Sequence, residues 1–154
     1  MYPSPYIRFD GYREQREWFE GCSANKAAAP RIHPTLYVLV LAAGLWHYRK
    51  TGRPAVVTHL LRTREEQRKL YPHRPSLRST HEYGRAADLR TRHLSSETAL
   101  EWARWLNLCF DYYGRPGAMT ALCHEVGAHG RHLHLQVGPR EGTPAVPETF
   151  ILTT

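Results

Sequence analysis

Between Pro34 and Lys50, Leu36, Val38, Leu39, Leu41, Ala42, Leu45 and Trp46 recur at near-helical spacing, with Pro34 at the start and Lys50, Thr51 and Gly52 at the close. This predicts a core helix. The run Ala55 to Leu61, after Arg53-Pro54, is rich in β-branched and aliphatic residues and predicts a short strand. Thr63 then has the chemistry of an N-cap, with Glu65 and Glu66 in the first turn of a helix reaching about Tyr71. Pro72 to Thr80 carries two prolines and three basic residues and predicts a loop; Arg85 to Leu89 predicts a strand. Ser95 or Ser96 caps an amphipathic run through Leu100, Trp102, Ala103, Trp105, Leu106, Cys109 and Phe110, which ends before Gly114-Arg115-Pro116-Gly117. Two further strands, about Thr120 to Val126 and His132 to Val137, predict a hairpin around Gly127 to Gly130.

Helices and strands in this order, with hairpin pairing late in the chain, point to an α+β fold built on a small antiparallel sheet flanked by helices. Residues 1–30 form an irregular N-terminal lead-in with one helical piece near Arg13 to Phe19, residues 31–140 the domain proper, and residues 141–154 a Pro-rich surface tail.

A length of 154 residues with 42% hydrophobic and 23% charged residues suits one domain, large enough to fold without disulfide or metal staples. A metal in such a chain serves chemistry rather than folding. Three cysteines, Cys22, Cys109 and Cys123, form no CxxC pair, so neither a disulfide framework nor a zinc knuckle is indicated. The formal net charge of +7 favours an acidic partner: nucleic acid, anionic lipid or an anionic wall polymer. The basic residues are scattered and match no nucleic-acid recognition motif, so no specific nucleic-acid partner is expected. Neither a signal-peptide core nor a run of about 18 apolar residues occurs, which predicts a cytoplasmic protein, without a membrane span, until something releases it. A monomer is expected.

Ten histidines are present, and seven of them lie between His73 and His134. Ser79-Thr80-His81-Glu82-Tyr83-Gly84-Arg85-Ala86-Ala87-Asp88 places an imidazole and a carboxylate seven positions apart across a glycine, on a loop entering a strand. Both are zinc-ligand types, and three protein ligands plus water make a catalytic site. His132-Leu133-His134-Leu135-Gln136-Val137 offers the third ligand. Alternation on a strand puts His132, His134 and Gln136 on one face and the apolar residues on the other.

These two segments resemble the paired motifs of the zinc D-Ala-D-Ala carboxypeptidase family, within the wider group that includes the hedgehog fold and lysostaphin-type peptidases. The match is SxHxxGxAxD at Ser79, His81, Gly84, Ala86 and Asp88, then HxH at His132 and His134. The resemblance covers roughly Val56 to Val137. It implies a hedgehog/DD-peptidase-like fold with a zinc cleft on the sheet, and zinc held by His81, Asp88 and His134. It maps a substrate-polarising arginine onto Arg62, with Ser79 a further substrate-binding candidate, although Leu61 stands where the family has Tyr. The implied substrate is a peptidoglycan peptide, cut as a carboxypeptidase or endopeptidase in cell-wall lysis or remodelling, as in phage endolysins and bacterial wall enzymes.

In one branch of the family a Glu three residues before the last zinc histidine is the general base, but Arg131 stands there. Two candidates for the proton-transfer role remain open, His132 and Glu125. His124 and Glu125 would face opposite ways on a regular strand, so only one of them can line the cleft. His124 and His129 read as solvated or structural; Trp102, Trp105, Phe110, Tyr112 and Tyr113 read as core. Arg85, Arg90, Arg92 and His93 are either a solvated edge or an attraction for an anionic wall polymer. HExxH is absent: His81-Glu82 has no His at the required spacing, and His124-Glu125 reaches His129 one residue too late. The alternative to an enzyme is a non-catalytic zinc-containing module of the same fold that binds cell wall or a virion protein.

Overall fold

A computed structural model of the chain describes residues 4–10, 32–112, 116–125 and 130–138. The aliphatic and β-branched runs become strands β1 (Ile7–Phe9), β2 (Ala55–His59), β3 (Ala86–Arg90), β4 (Ala121–Glu125) and β5 (Arg131–Gln136). The helices are α1 (Pro34–Thr51), α2 (Arg64–Leu70) and α3 (Ser96–Cys109), with a 3-10 turn at Thr80–Tyr83. The strands form one sheet in the order β1-β2-β3-β5-β4, so the α+β class stands. The expected antiparallel sheet is corrected to a mixed one: β1, from the stretch read as an irregular lead-in, pairs parallel with β2, and the other pairings are antiparallel. Three residues carry too little periodicity to stand out as a strand, and β1 is held by pairing Ile7 with Ala55 and by burial of Ile7. The helical piece expected near Arg13 to Phe19, the loop residues 126–129, Tyr113, Cys22 and the C-terminal tail lie outside the described residues.

The caps behave as their residue types require. Thr63 Oγ accepts from the Glu66 N–H while the Glu66 carboxylate accepts from the Thr63 N–H, a closed capping box at the start of α2. Ser95 caps α3 through the Thr98 N–H, and α1 ends on Gly52 in the left-handed region.

Alternation along β3 and β5 sends Ala87, Leu89, Leu133 and Leu135 to one face, where α1 and α3 cover them with Leu36, Leu39, Val40, Ala43, Trp102 and Leu106. Trp102 is fully buried and stacks on Trp46 at 5.8 Å. Trp105 and Phe110 pack against this core, as their helical spacing predicts. The other face is left for side chains of opposite parity, and that face carries the site.

Helix α1 approaches β1 closely because Gly44 has no side chain: a Cβ there would lie 2.6 Å from Ile7 Cγ1 and 2.9 Å from the Tyr6 carbonyl oxygen. Gly44→Ala gains about 1 kcal/mol of helix propensity but meets an overpacking cost of about 1–3 kcal/mol. The backbone carbonyl cannot rotate away, so a net loss and a lower melting temperature are expected. An unchanged or raised Tm would show that β1 moves freely.

At the other side of α1, His47 is fully buried against Trp102, with Nδ1 2.9 Å from the Arg53 carbonyl and Nε2 2.7 Å from His93 Nε2. A carbonyl only accepts, so Nδ1 carries the proton, Nε2 accepts, and His93 donates. Burial lowers the His47 pKa, and the neighbouring His93 adds to this, outweighing the Arg53 carbonyl. A depressed imidazole pKa disfavours the fold once the unfolded chain begins to take up protons, which is below about pH 6.5. Stability should therefore fall as pH drops through that value, and His47→Leu should flatten the fall in thermal melts between neutral and mildly acid pH. Parallel profiles for the two proteins would remove His47 as the cause.

Candidate metal centre

Asp88 sits in the middle of β3, opposite His134 on β5 and His59 on β2, and Arg90 two residues on is opposite His132. His124 of β4 faces His132 across the next pair. Cross-strand partners share a face, so the sheet register alone gathers Asp88, His134, His132 and His124 on the side away from α1 and α3. His81 arrives from the 3-10 turn. Ser79 Oγ caps that turn by accepting from the His81 N–H, and Gly84, at φ 65°, turns the chain from it into β3.

A buried ion network clamps the same turn. The Glu82 carboxylate accepts from the Ser79 N–H at 2.8 Å and lies 3.0 Å from Arg78 Nη1 and 3.5 Å from Arg64 Nη1. Arg64 in turn donates to the carbonyls of Leu77 and Pro75, so the loop that precedes the turn is tied to α2.

The result is a group of three possible ligands, His81, Asp88 and His134, whose donor atoms all lie within 4.8 Å of one another. Asp88 Oδ2 is 3.4 Å from His81 Nε2 and Oδ1 is 2.8 Å from His134 Nδ1. His81 Nδ1 donates to the Leu60 carbonyl at 3.0 Å, so its Nε2 is the atom that presents a lone pair. Burial lowers the His81 pKa against the pull of Asp88, which keeps the imidazole neutral. Burial pushes the Asp88 carboxyl up, but the neighbouring His81 and His134 outweigh it and hold the group well below the usual carboxylate range. A neutral imidazole with a fixed tautomer, an ionised carboxylate and a second imidazole are the forms in which these groups bind cations. This group could hold a metal ion.

The group lies in a cleft of about 930 Å³ lined on one side by the sheet and on the other by α2 and the 71–80 loop. His132 borders the triad, with Nε2 3.6 Å from Asp88 Oδ1 and Nδ1 3.1 Å from the Gly130 carbonyl. Arg62 enters from the opposite wall. Its guanidinium donates to His59 Nε2 (3.4 Å), Gln67 Oε1 (2.9 Å) and Ser79 Oγ (3.3 Å), and no carboxylate lies within ion-pair distance among the described residues.

All three ligand candidates and His132, Arg62 and Ser79 thus come together at one cleft. Glu125 stands in register with Arg131; its side chain is outside the described residues. Arg131 places its guanidinium on the Leu94 carbonyl and Ser96 Oγ. His124, read from sequence as solvated or structural, lines the cleft and packs its ring at 4.7 Å from that of His132 and 5.2 Å from that of His134. Tyr112, read as core, also lines it. His59 was not singled out at all, and its ring lies 5.0 Å from that of His81. Its place depends on a register shift between Val57 and His59 that moves His59 opposite Asp88, where a regular ladder would put it opposite the core-facing Ala87. The pairing of His124 with His132 was legible in principle, from the hairpin register.

No helix among the described residues is long and apolar enough to cross a membrane. The chain matches no family model, no curated protein and no solved structure.

Proposed function

We propose that the protein is a zinc-dependent peptidase that cleaves a peptide bond in bacterial peptidoglycan, with the hedgehog/DD-peptidase-like architecture that its motifs suggest. The observation that carries this reading is the convergence of His81, Asp88 and His134 donor atoms within 4.8 Å in an open cleft. Two imidazoles and one carboxylate fit zinc with an open position for chemistry. Zinc bound there would act as a Lewis acid and lower the pKa of water to about 7.

The chain's own groups take the other roles. His132 keeps its Nδ1 proton on the Gly130 carbonyl, so Nε2, on the Asp88 side, is free to accept a proton. Glu125 remains the second candidate for that role. Arg62 is preorganised by three neutral partners, which leaves its charge available for a developing oxyanion or a substrate carboxylate. Ser79 both holds Arg62 and caps the turn that carries His81.

Zinc-loaded protein incubated with purified sacculi should release peptide fragments, whose new termini name the bond and separate carboxypeptidase from endopeptidase action. Intact muropeptides after long incubation, with zinc bound, would sink the enzyme and favour the binding module, for which Arg131 at the family's base position speaks.

A further inference from the structure

Among the described residues the cleft is lined by five arginines, Arg62, Arg78, Arg90, Arg92 and Arg131, and by a single carboxylate, Asp88. Their charges are not equally available. Arg78 is answered by Glu82 and Arg90 by Asp10, while Arg131 has its guanidinium fixed on two neutral groups, the Leu94 carbonyl and Ser96 Oγ. Arg92 is exposed and forms no ion pair with any described residue. It lies beyond the end of β3, past Arg90, which borders His132 in register. One end of the cleft therefore carries uncompensated positive charge, on a different element from the one that carries Arg62.

We infer that this end of the cleft is a carboxylate subsite, in which Arg92, with Arg90 beside it, takes an acidic group of the substrate two residues from the cleaved bond. The inference rests on the peptidase reading for the position of that bond. Residues alternate along β3, so Asp88 and Arg90 share the cleft face about 6.6 Å apart along the strand, and Arg92 follows. An extended peptide advances about 3.3–3.6 Å per residue. A carboxylate carried two residues from an amide at the triad thus comes level with Arg90, and Arg92, on the turn that follows β3, lines the same end of the cleft. Asp10 orients Arg90 while Arg92 has no ion-pair partner among the described residues, so the second supplies the net charge. A carboxamide at the same place on the substrate offers no charge and loses the charge-assisted hydrogen bonds.

The test is a matched pair of synthetic stem peptides, one with a free D-isoglutamate α-carboxylate and the other with its carboxamide. Both Kd and kcat/KM are measured on the zinc-loaded protein. The acid should bind about fivefold to tenfold more tightly than the amide, and 0.5 M salt should shrink the difference, since the end is open to solvent. Arg92→Gln should bring the ratio close to one, Arg92→Lys should retain part of it, and Arg92→Glu should invert it. Equal affinity for the two peptides in the unmodified protein overturns the subsite, as does a ratio that survives Arg92→Gln. If neither peptide is cut but the affinity ratio and its loss in Arg92→Gln persist, the subsite stands and the peptidase reading falls. Cleavage of both at equal affinity means the reverse.

Discussion

Asp88→Ala should purify without bound metal and lose at least about 10³-fold in peptidase activity on sacculi, while retaining its secondary structure. Asp88 is the centre of the triad: His81 Nε2 and His134 Nδ1 both approach its carboxylate, at 3.4 and 2.8 Å. Removing it leaves two imidazoles, which is too few to hold zinc against competition from solvent and buffer. The strand itself should survive, because its ladder to β5 uses backbone groups and Thr58 Oγ1 bonds the Asp88 carbonyl rather than the side chain. His81→Ala and His134→Ala should behave alike. Metal content by mass spectrometry, circular dichroism and fragment release from sacculi decide the matter together. Full activity in Asp88→Ala at background zinc would remove the metal from the reaction and the proposal with it.

The second large effect is expected at Arg62, and it should separate chemistry from metal binding. Arg62→Ala should keep its zinc and lower kcat/KM by about 10²- to 10³-fold, the range for losing one preorganised oxyanion donor. Arg62→Lys should recover little, since an ammonium cannot reproduce the fork that spans His59, Gln67 and Ser79. Burial works to lower the Arg62 pKa, while the more distant Asp88 and other anions oppose it. A half-buried guanidinium with only neutral partners at bonding distance among the described residues costs desolvation energy, which an anionic group in the cleft would offset. Wild-type kcat/KM in Arg62→Ala would reduce this residue to a brace for the 71–80 loop.

Much of this arrangement was legible along the chain. The apolar spacing of Leu36 to Trp46 and of Leu100 to Phe110 marks two helices that do form, within one or two residues of the expected ends. Thr63 and Ser95 announce their helices because a side-chain oxygen at an N-cap satisfies an otherwise orphaned N–H, a purely local reason. His81 and Asp88 were legible from residue type, spacing and the glycine between them, with a third ligand in the His132–His134 stretch, and the resemblance to the carboxypeptidase motifs implied His134 for it. Strand alternation sufficed to put His132 beside them.

Other features are decided by partners distant in sequence. Ile7 to Phe9 is too short to show a period, and it becomes a strand only because β2 offers an open edge and α1 presents Gly44 to it. That added edge makes the sheet mixed. His59 joins the site through the irregular register of β2 against β3, and a bulge is a property of two strands together. His124 comes to the cleft because β4 pairs residue for residue with β5, which sets its ring against His132 and His134. Residue types, caps and periodicity act over a few neighbours, so the sequence by itself determined the helices, most strands and the ligand candidates. Which charges meet a partner, which histidines share a face, and which arginine at the cleft's end has no ion pair among the described residues depend on register and packing across long separations, and these only the tertiary structure decided.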